Sequence, residues 1–477
     1  MTTRNHFDVL VIGSGPAGQR AATQAAKLGR RVAIVERSPM LGGVSANTGT
    51  LPSKTARAAI LDLTGLGHRS VYGDAYRIKE TITLGDVLWR ATQAIANEHA
   101  VVHAQLRRNG IAIIEGTAAF ADPHTLVVDN DDGRRTLVGD QIVIAVGTTP
   151  ARPPEVDFDD ETVIDSDALG DLPRIPRALT VVGGGIIGLE YASMAAALGV
   201  HVTVVERREH LLEFVDDEVV EALQFHLRDL GLTFRLGEHV ARVERTPDRT
   251  VVTRLESGKR IVSDVVLYAA GRQGATAGLG LDDAGLAADA RGRIEVDATY
   301  RTAQPHIFAV GDVIGGPALA ATGMEQGRLA GLAASGVEPH AMPELLPYGI
   351  YTIPEISMVG ATERRLTDTG TPYVVGIARY RELARGAIEG DRNGMLKVLV
   401  HADSRRLLGV HVFGTAATEI VHIGQTAMAA GLPIDHFVDA VFNYPTFADA
   451  FKVAALDAAN QLNQIVVRAR RRARARP

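Results

Sequence analysis

Two short glycine-rich segments carry the most specific chemistry in the chain. One is Gly13-Ser14-Gly15-Pro16-Ala17-Gly18 and the other is Gly183-Gly184-Gly185-Ile186-Ile187-Gly188. Each follows an apolar run, Phe7 to Ile12 and Leu179 to Val182, and each opens a helix-forming stretch, to Leu28 and to Leu198. A second apolar run then ends in an acid: Val32 to Val35 before Glu36, and Val202 to Val205 before Glu206. The interval from first glycine to acid is the same in both copies. Strand, glycine turn, helix, strand and acid form the βαβ context in which such a fingerprint holds a dinucleotide. The first glycine permits the tight turn, the second lets backbone approach a pyrophosphate, and the third allows close packing of helix on strand. The helix N-terminus then faces the phosphate charge. Glu36 and Glu206 are placed to accept hydrogen bonds from an adenosine ribose. A single glycine turn is weak evidence, but two in one register predict two dinucleotide sites: a flavin held permanently and a nicotinamide that comes and goes.

Other chemistry is excluded by composition. The sequence contains no cysteine, so disulfides, thiolate nucleophiles, iron–sulfur clusters and cysteine-ligated zinc have no ligands here. Most of the 15 histidines are isolated and no HExxH or paired spacing occurs, so no metal site is expected. Fifty Lys and Arg against 56 Asp and Glu leave a net charge of −6, which offers no general attraction to nucleic acid or anionic membrane. The longest apolar runs are too short for a membrane span or a signal segment, and a cytoplasmic protein is expected. Only the tail departs from this balance. Its Arg468, Arg470, Arg471, Arg472, Arg474 and Arg476 read as a solvated, disordered run with at most weak affinity for polyanions. The single tryptophan, Trp89, reads as packing rather than a stacking platform.

These residues need elements to position them. The chain has 477 residues, enough for about three units of 100 to 200 residues. Ile142 to Ala145 reads as a buried strand running on to Gly147, ahead of the proline-rich stretch Pro150 to Pro154 that marks a crossover. Val265 to Gly271 repeats the strand-then-glycine pattern, and Thr302 to Asp312 delivers Gly311 and Asp312 at a strand's C-terminal end, where ligands of open α/β sheets bind. The expected architecture is α/β, with two Rossmann-like dinucleotide-binding domains and a C-terminal α+β domain. The boundaries read as 1–150 with 278–343, then 151–277, then 344–477. In the last unit, strands such as Met395 to Val400 and Leu408 to Phe413 give way to an Ala-rich helix near 450–462.

Taken with Gly42-Gly43 through Pro52-Ser53-Lys54 and with Phe442-Asn443-Tyr444-Pro445-Thr446, these segments resemble the flavoprotein disulfide reductases over nearly the whole chain. The resemblance implies bound FAD, NAD or NADP as partners, and a homodimer formed through the C-terminal unit. It also marks departures. Ser45 and Thr50 stand where relatives carry the redox cysteine pair, and Tyr444 and Asp449 where they carry a histidine base and its orienting glutamate. A chain that has lost both thiols has no proton for such a base to take, so disulfide, dithiol, mercury and peroxide chemistry are excluded in their family form. Reduced flavin can then discharge only to a second nicotinamide, to oxygen, or to a small acceptor such as a quinone. The first route, ping-pong hydride transfer from NADPH through FAD to NAD, is the expected function. An NAD(P)H:quinone or dye reductase and a low-turnover FAD-binding redox sensor are the alternatives.

The resemblance also implies roles. Gly13, Gly15, Pro16, Ala17, Gly18, Glu36, Arg37, Gly43, Lys54, Gly147, Gly311 and Asp312 would hold FAD. Gly183, Gly185, Ile186, Ile187, Gly188, Glu206, Arg207, Arg208 and Gly271 would hold NAD or NADP. Lys54 would lie near flavin N5 and pair with Glu190, stabilising the anionic reduced ring; the alternative is a surface ion pair. Arg207 and Arg208 suit a 2′-phosphate that Glu206 alone would oppose. Tyr444 either reaches the flavin of a partner subunit or caps the pocket.

Overall fold

The computed structural model describes residues 5–73, 79 and 81–474. Among them, a seven-stranded sheet gathers the first and last parts of residues 1–330. His6–Ile12 lies at its middle, pairing in parallel with Val32–Glu36 on one side and Gly133–Ile144 on the other. Val9, Leu10 and Val11 are buried on both faces of that strand, which is why the run reads as continuously apolar rather than alternating. Ile307–Ala309 returns to pair in parallel with Gly133–Ile144, setting Ala309 beside Ile144, which itself faces Ile12. Three strand ends therefore release Gly13, Gly147 and Gly311 along one edge of the sheet.

A five-stranded parallel sheet repeats the plan. His201–Glu206 pairs with Ala178–Val182, which pairs with Val265–Tyr268. The chain enters and leaves this middle part through neighbouring antiparallel strands, Thr148–Pro150 and Arg272–Gly274. The remaining five-stranded sheet is antiparallel and built wholly from Tyr348–Ile350, Ile356–Gly360, Tyr373–Arg379, Met395–His401 and Leu407–Phe413. The long helix Asp449–Arg474 lies along its edge strand Tyr373–Arg379. Asp457 accepts from the Ile377 N–H at 3.0 Å and Gln461 donates to the Val375 carbonyl at 2.6 Å. That helix carries the backbone of the arginine run through Arg474 instead of leaving it irregular, because the chain simply continues an established helix; Arg476 lies outside the described residues. Trp89, on the helix Leu84–Arg108, is a surface residue.

The first and third glycine of each fingerprint meet the physical demand expected of them. Gly13 and Gly183 have φ of +100° and +109°, in the left-handed region that glycine tolerates. A Cβ on Gly18 would sit 2.0 Å from the Gly13 carbonyl oxygen, and one on Gly188 the same distance from that of Gly183. Gly15 and Gly185 face open space. They also serve as N-caps of the helices Pro16–Lys27 and Ile186–Ala197 without any side-chain cap, which leaves first-turn N–H groups for an anion. Pro16, at the start of its helix, sacrifices a donor that would be unbonded anyway. The helix Pro16–Lys27 is clamped in turn by Ala320–Ala334, whose Gly327 and Gly331 let it pass against the carbonyls of Ala17 and Ala21.

A buried charge cluster joins the middle sheet's helix to the last sheet. The fully buried Lys397 ammonium lies 2.7 Å from Asp216 and 3.1 Å from Glu218, and also bonds Glu363. These three carboxylates lie close enough together to hold a cation, and the cation present is the lysine. Burial works against its charge, but the three acids hold it above the ordinary lysine value.

Candidate active site

A cavity of about 730 Å³ runs along the released strand ends and on into the last unit. Its wall includes Gly13, Gly15, Pro16, Ala17, Glu36, Arg37, Gly43, Lys54, Gly147, Gly311 and Asp312. Residues from both ends of the first sheet's sequence, from Gly13 to Asp312, thus meet along one cavity. Gly18 is the exception in this set; it is spent on helix packing behind the turn. From the second turn, Ile186 and Ile187 reach the wall, as does Glu190, while Gly183, Gly185, Gly188, Glu206, Arg207, Arg208 and Gly271 stand outside it. Tyr444 does not line its own chain's cavity and is 75 % exposed.

The dimensions and donors suit a dinucleotide. Gly43 passes so close to Gly15 that a Cβ on it would lie 2.9 Å from the Gly15 Cα, leaving backbone rather than side chain facing the turn. Thr48 on the same wall has a buried hydroxyl without a protein partner, a polar atom that a bound ligand would satisfy. Asp312 sits at the strand end; burial lifts its carboxyl above the usual value, against the opposing pull of Arg272 and Thr148. The residues present therefore fit an FAD. Glu36 has less freedom than its position implies. It already accepts from the Ser14 N–H at 2.8 Å, the Ser14 hydroxyl at 2.7 Å and the Ser38 N–H at 3.0 Å. With about four acceptor positions per carboxylate, one remains for a ribose. Ser14 was not singled out in the sequence, although a hydroxyl between two glycines is a visible signal; its oxygen also accepts from the Gly42 N–H at 2.9 Å, tying the turn to the next loop.

Glu206 is fuller still. It accepts from the Gly184 N–H at 2.7 Å, the Arg208 N–H at 3.0 Å, and the Arg208 Nε and Nη2 at 3.0 and 3.2 Å. Burial opposes its charge, yet Arg208 and the Gly184 amide hold it below the usual carboxylate range, and the same pair holds the Arg208 guanidinium up. Arg207 is exposed.

Lys54, from the helix Thr50–Thr64, reaches Glu190 on the helix Ile186–Ala197 at 2.5 Å. Glu190 is buried, so the reading of this pair as a surface contact does not hold. Its other oxygen accepts from the Tyr351 N–H at 2.8 Å. Arg57, farther along the lysine's helix, donates to the Thr352 carbonyl at 2.9 Å and pairs with Glu355 at 3.2 Å.

The chain belongs to the pyridine nucleotide-disulphide oxidoreductase family, which it matches over residues 7–327, with the family's dimerisation domain over 346–455. It is 57 % identical over 462 residues to a soluble pyridine nucleotide transhydrogenase of Mycobacterium bovis, covering 96 % of this chain and 98 % of that one. A protein of the same name from Colwellia psychrerythraea is 42 % identical over 463 residues, with the same coverage. Among solved structures, the flavoprotein disulfide reductase RclA of Escherichia coli superposes with a TM-score of 0.86 at 28 % identity, over 95 % of this chain and 99 % of that one. LpdA of Mycobacterium tuberculosis does so at 0.86 and 26 % identity, over 94 % and 99 %.

Proposed function

We propose that this chain is a soluble transhydrogenase that passes hydride between NADPH and NAD through FAD, as a homodimer. The observation that carries the reading is the pairing of a dinucleotide cavity with a complete absence of cysteine, beside relatives of that name aligned along almost the whole chain. When bound, FAD supplies a two-electron acceptor that takes hydride from one nicotinamide and returns it to another. The protein's part is geometry and charge. Residues 1–150 with 278–343 seat FAD: the Gly13–Gly18 turn and its helix N-terminus take the pyrophosphate, Glu36 the adenosine ribose, and Gly147, Gly311 and Asp312 the remainder. Residues 151–277 seat the nicotinamide dinucleotide on the second turn, whose Ile186 and Ile187 open onto the cavity. Lys54, held by Glu190, places a positive charge beside the flavin and favours its reduced anion. Residues 344–477 pair two subunits and bring Tyr444 toward the partner. No helix among the described residues is long and apolar enough to cross a membrane, and relatives named soluble support a cytoplasmic setting.

Anaerobic rapid mixing tests the whole reading. NADPH should bleach the flavin absorbance of the loaded protein and NAD should restore it at a rate matching turnover. Restoration by quinone alone, or failure to take up FAD, overturns it.

A further inference from the structure

Tyr351 lies just beyond the strand Tyr348–Ile350 of the last sheet, far in sequence from both members of the Lys54–Glu190 pair, and nothing in the two glycine motifs points to it. It nevertheless holds both. Its N–H donates to Glu190 Oε1 at 2.8 Å, while the Lys54 Nζ lies 5.0 Å from the centroid of its ring, within the distance at which an ammonium is attracted to an aromatic face. The carboxylate of Glu190 is thereby divided, one oxygen for the lysine and one for the Tyr351 backbone. Lys54 and Tyr351 both line the cavity. The segment bearing the tyrosine is itself fixed: Ile353 N–H donates to the Ser193 hydroxyl at 3.1 Å, and Arg57 grips Thr352 and Glu355.

We propose that Tyr351 is a positioning residue for hydride transfer, its ring holding the Lys54 ammonium beside the flavin so that the last unit of the same chain sets the lysine's place. The inference rests on the functional reading above. The ring and the backbone amide act separately, so a side-chain substitution removes the grip on the lysine and leaves the bond to Glu190.

The readout is the two-electron potential of the FAD-loaded protein, measured by equilibration with a reference dye and independent of nucleotide turnover. Tyr351→Leu should shift the flavin reduction equilibrium about tenfold toward the oxidised form, equivalent to about 30 mV, and Tyr351→Phe, which keeps the ring, should restore the wild-type value. In a Lys54→Met background, Leu and Phe at position 351 should give the same potential, because the charge they differ in holding is gone. An equal shift in both backgrounds, or no shift in either, overturns the proposal. If the Leu variant does not load FAD, Tyr351→Trp serves instead, since indole attracts a cation more strongly and must move the potential the opposite way. Wild-type protein that takes up no FAD ends the functional reading; loaded protein with an insensitive potential ends only this one.

Discussion

The second acid of the repeated motif is saturated. Its carboxylate takes four hydrogen bonds, three of them from Arg208, so neither the 2′-hydroxyl of NAD nor the 2′-phosphate of NADP can approach without the guanidinium turning aside. The Arg208 side chain is two-fifths exposed while Glu206 is nearly sealed, so the arginine is the partner that can turn. On the proposed function, it would yield a lone pair of Glu206 to NAD and follow the phosphate of NADP. Replacing both arginines with glutamine should therefore raise KM for NADPH by at least about tenfold, as loss of a charged hydrogen bond does, with Arg208 responsible for most of it. KM for NADH should change by less than about threefold, since an unencumbered Glu206 still accepts from a hydroxyl. Steady-state kinetics with each nucleotide check this, and equal effects on the two refute it. The types and positions of these residues are legible in the sequence; the four bonds are not, because they depend on how the turn after Glu206 folds Arg208 back over its neighbour. Tyr351 is illegible for a related reason: only tertiary contact brings its ring to Lys54.

The glycines separate folding from binding at the scale of a single turn and helix. Gly18→Ala forces a Cβ against the Gly13 carbonyl at 2.0 Å, so the helix Pro16–Lys27 must shift away from its strand. A melt of the FAD-free protein should show a loss of at least about 1–3 kcal/mol, the usual cost of overpacking. Gly15→Ala meets nothing within 4 Å and should melt within about 0.5 kcal/mol of wild type, yet bind FAD much more weakly, because on the proposed function the added methyl would stand where the phosphates approach. Equal losses of stability in the two variants would contradict this division. Elements of this kind were legible because parallel strands buried on both faces are continuous in the sequence and glycine has few substitutes at positive φ. Their ends shifted by a residue or two, as where the strand expected over Val202–Val205 runs His201–Glu206. The C-terminal helix, expected near 450–462, runs Asp449–Arg474, since nothing in the arginine run breaks a helix already started.

At the level of the whole chain, the Lys397 cluster ties the middle and last units. Asp216 is as deeply buried as the lysine, while Glu218 and Glu363 keep partial access to water. Lys397→Met strands the aspartate and should cost about 3–5 kcal/mol, with Asp216→Asn added to it recovering part; urea denaturation measures both. The neighbouring His411 is fully enclosed, donates to the Ala361 carbonyl at 2.9 Å, and is pushed by burial below the usual histidine value despite Asp216 and Glu363 nearby. Its unfolded form therefore binds the proton more readily, so stability falls as the pH drops through the unfolded value of about 6.5. Asp216, held below its ordinary value, adds a loss of the same sign at lower pH. The urea midpoint at about pH 5.5 should lie below that at about pH 7.5, and His411→Asn should flatten the upper part of that decline. No pattern in the sequence announced this cluster, because its charges are ordinary residues until the fold removes their water. A homodimer makes a further demand on the surface: Val441 is 93 % exposed close to Tyr444. Val441→Asp should shift the sedimenting species toward half its mass, and an unchanged dimer would place the contact elsewhere.

The wall of the cavity begins at Ile12 and is not finished until Thr418 and His422. During synthesis, at about 5–20 residues per second, the first glycine turn has left the ribosome long before the tyrosine and helix that close the far end. A nascent chain therefore cannot close this cavity until the helix bearing Thr418 and His422 has been made.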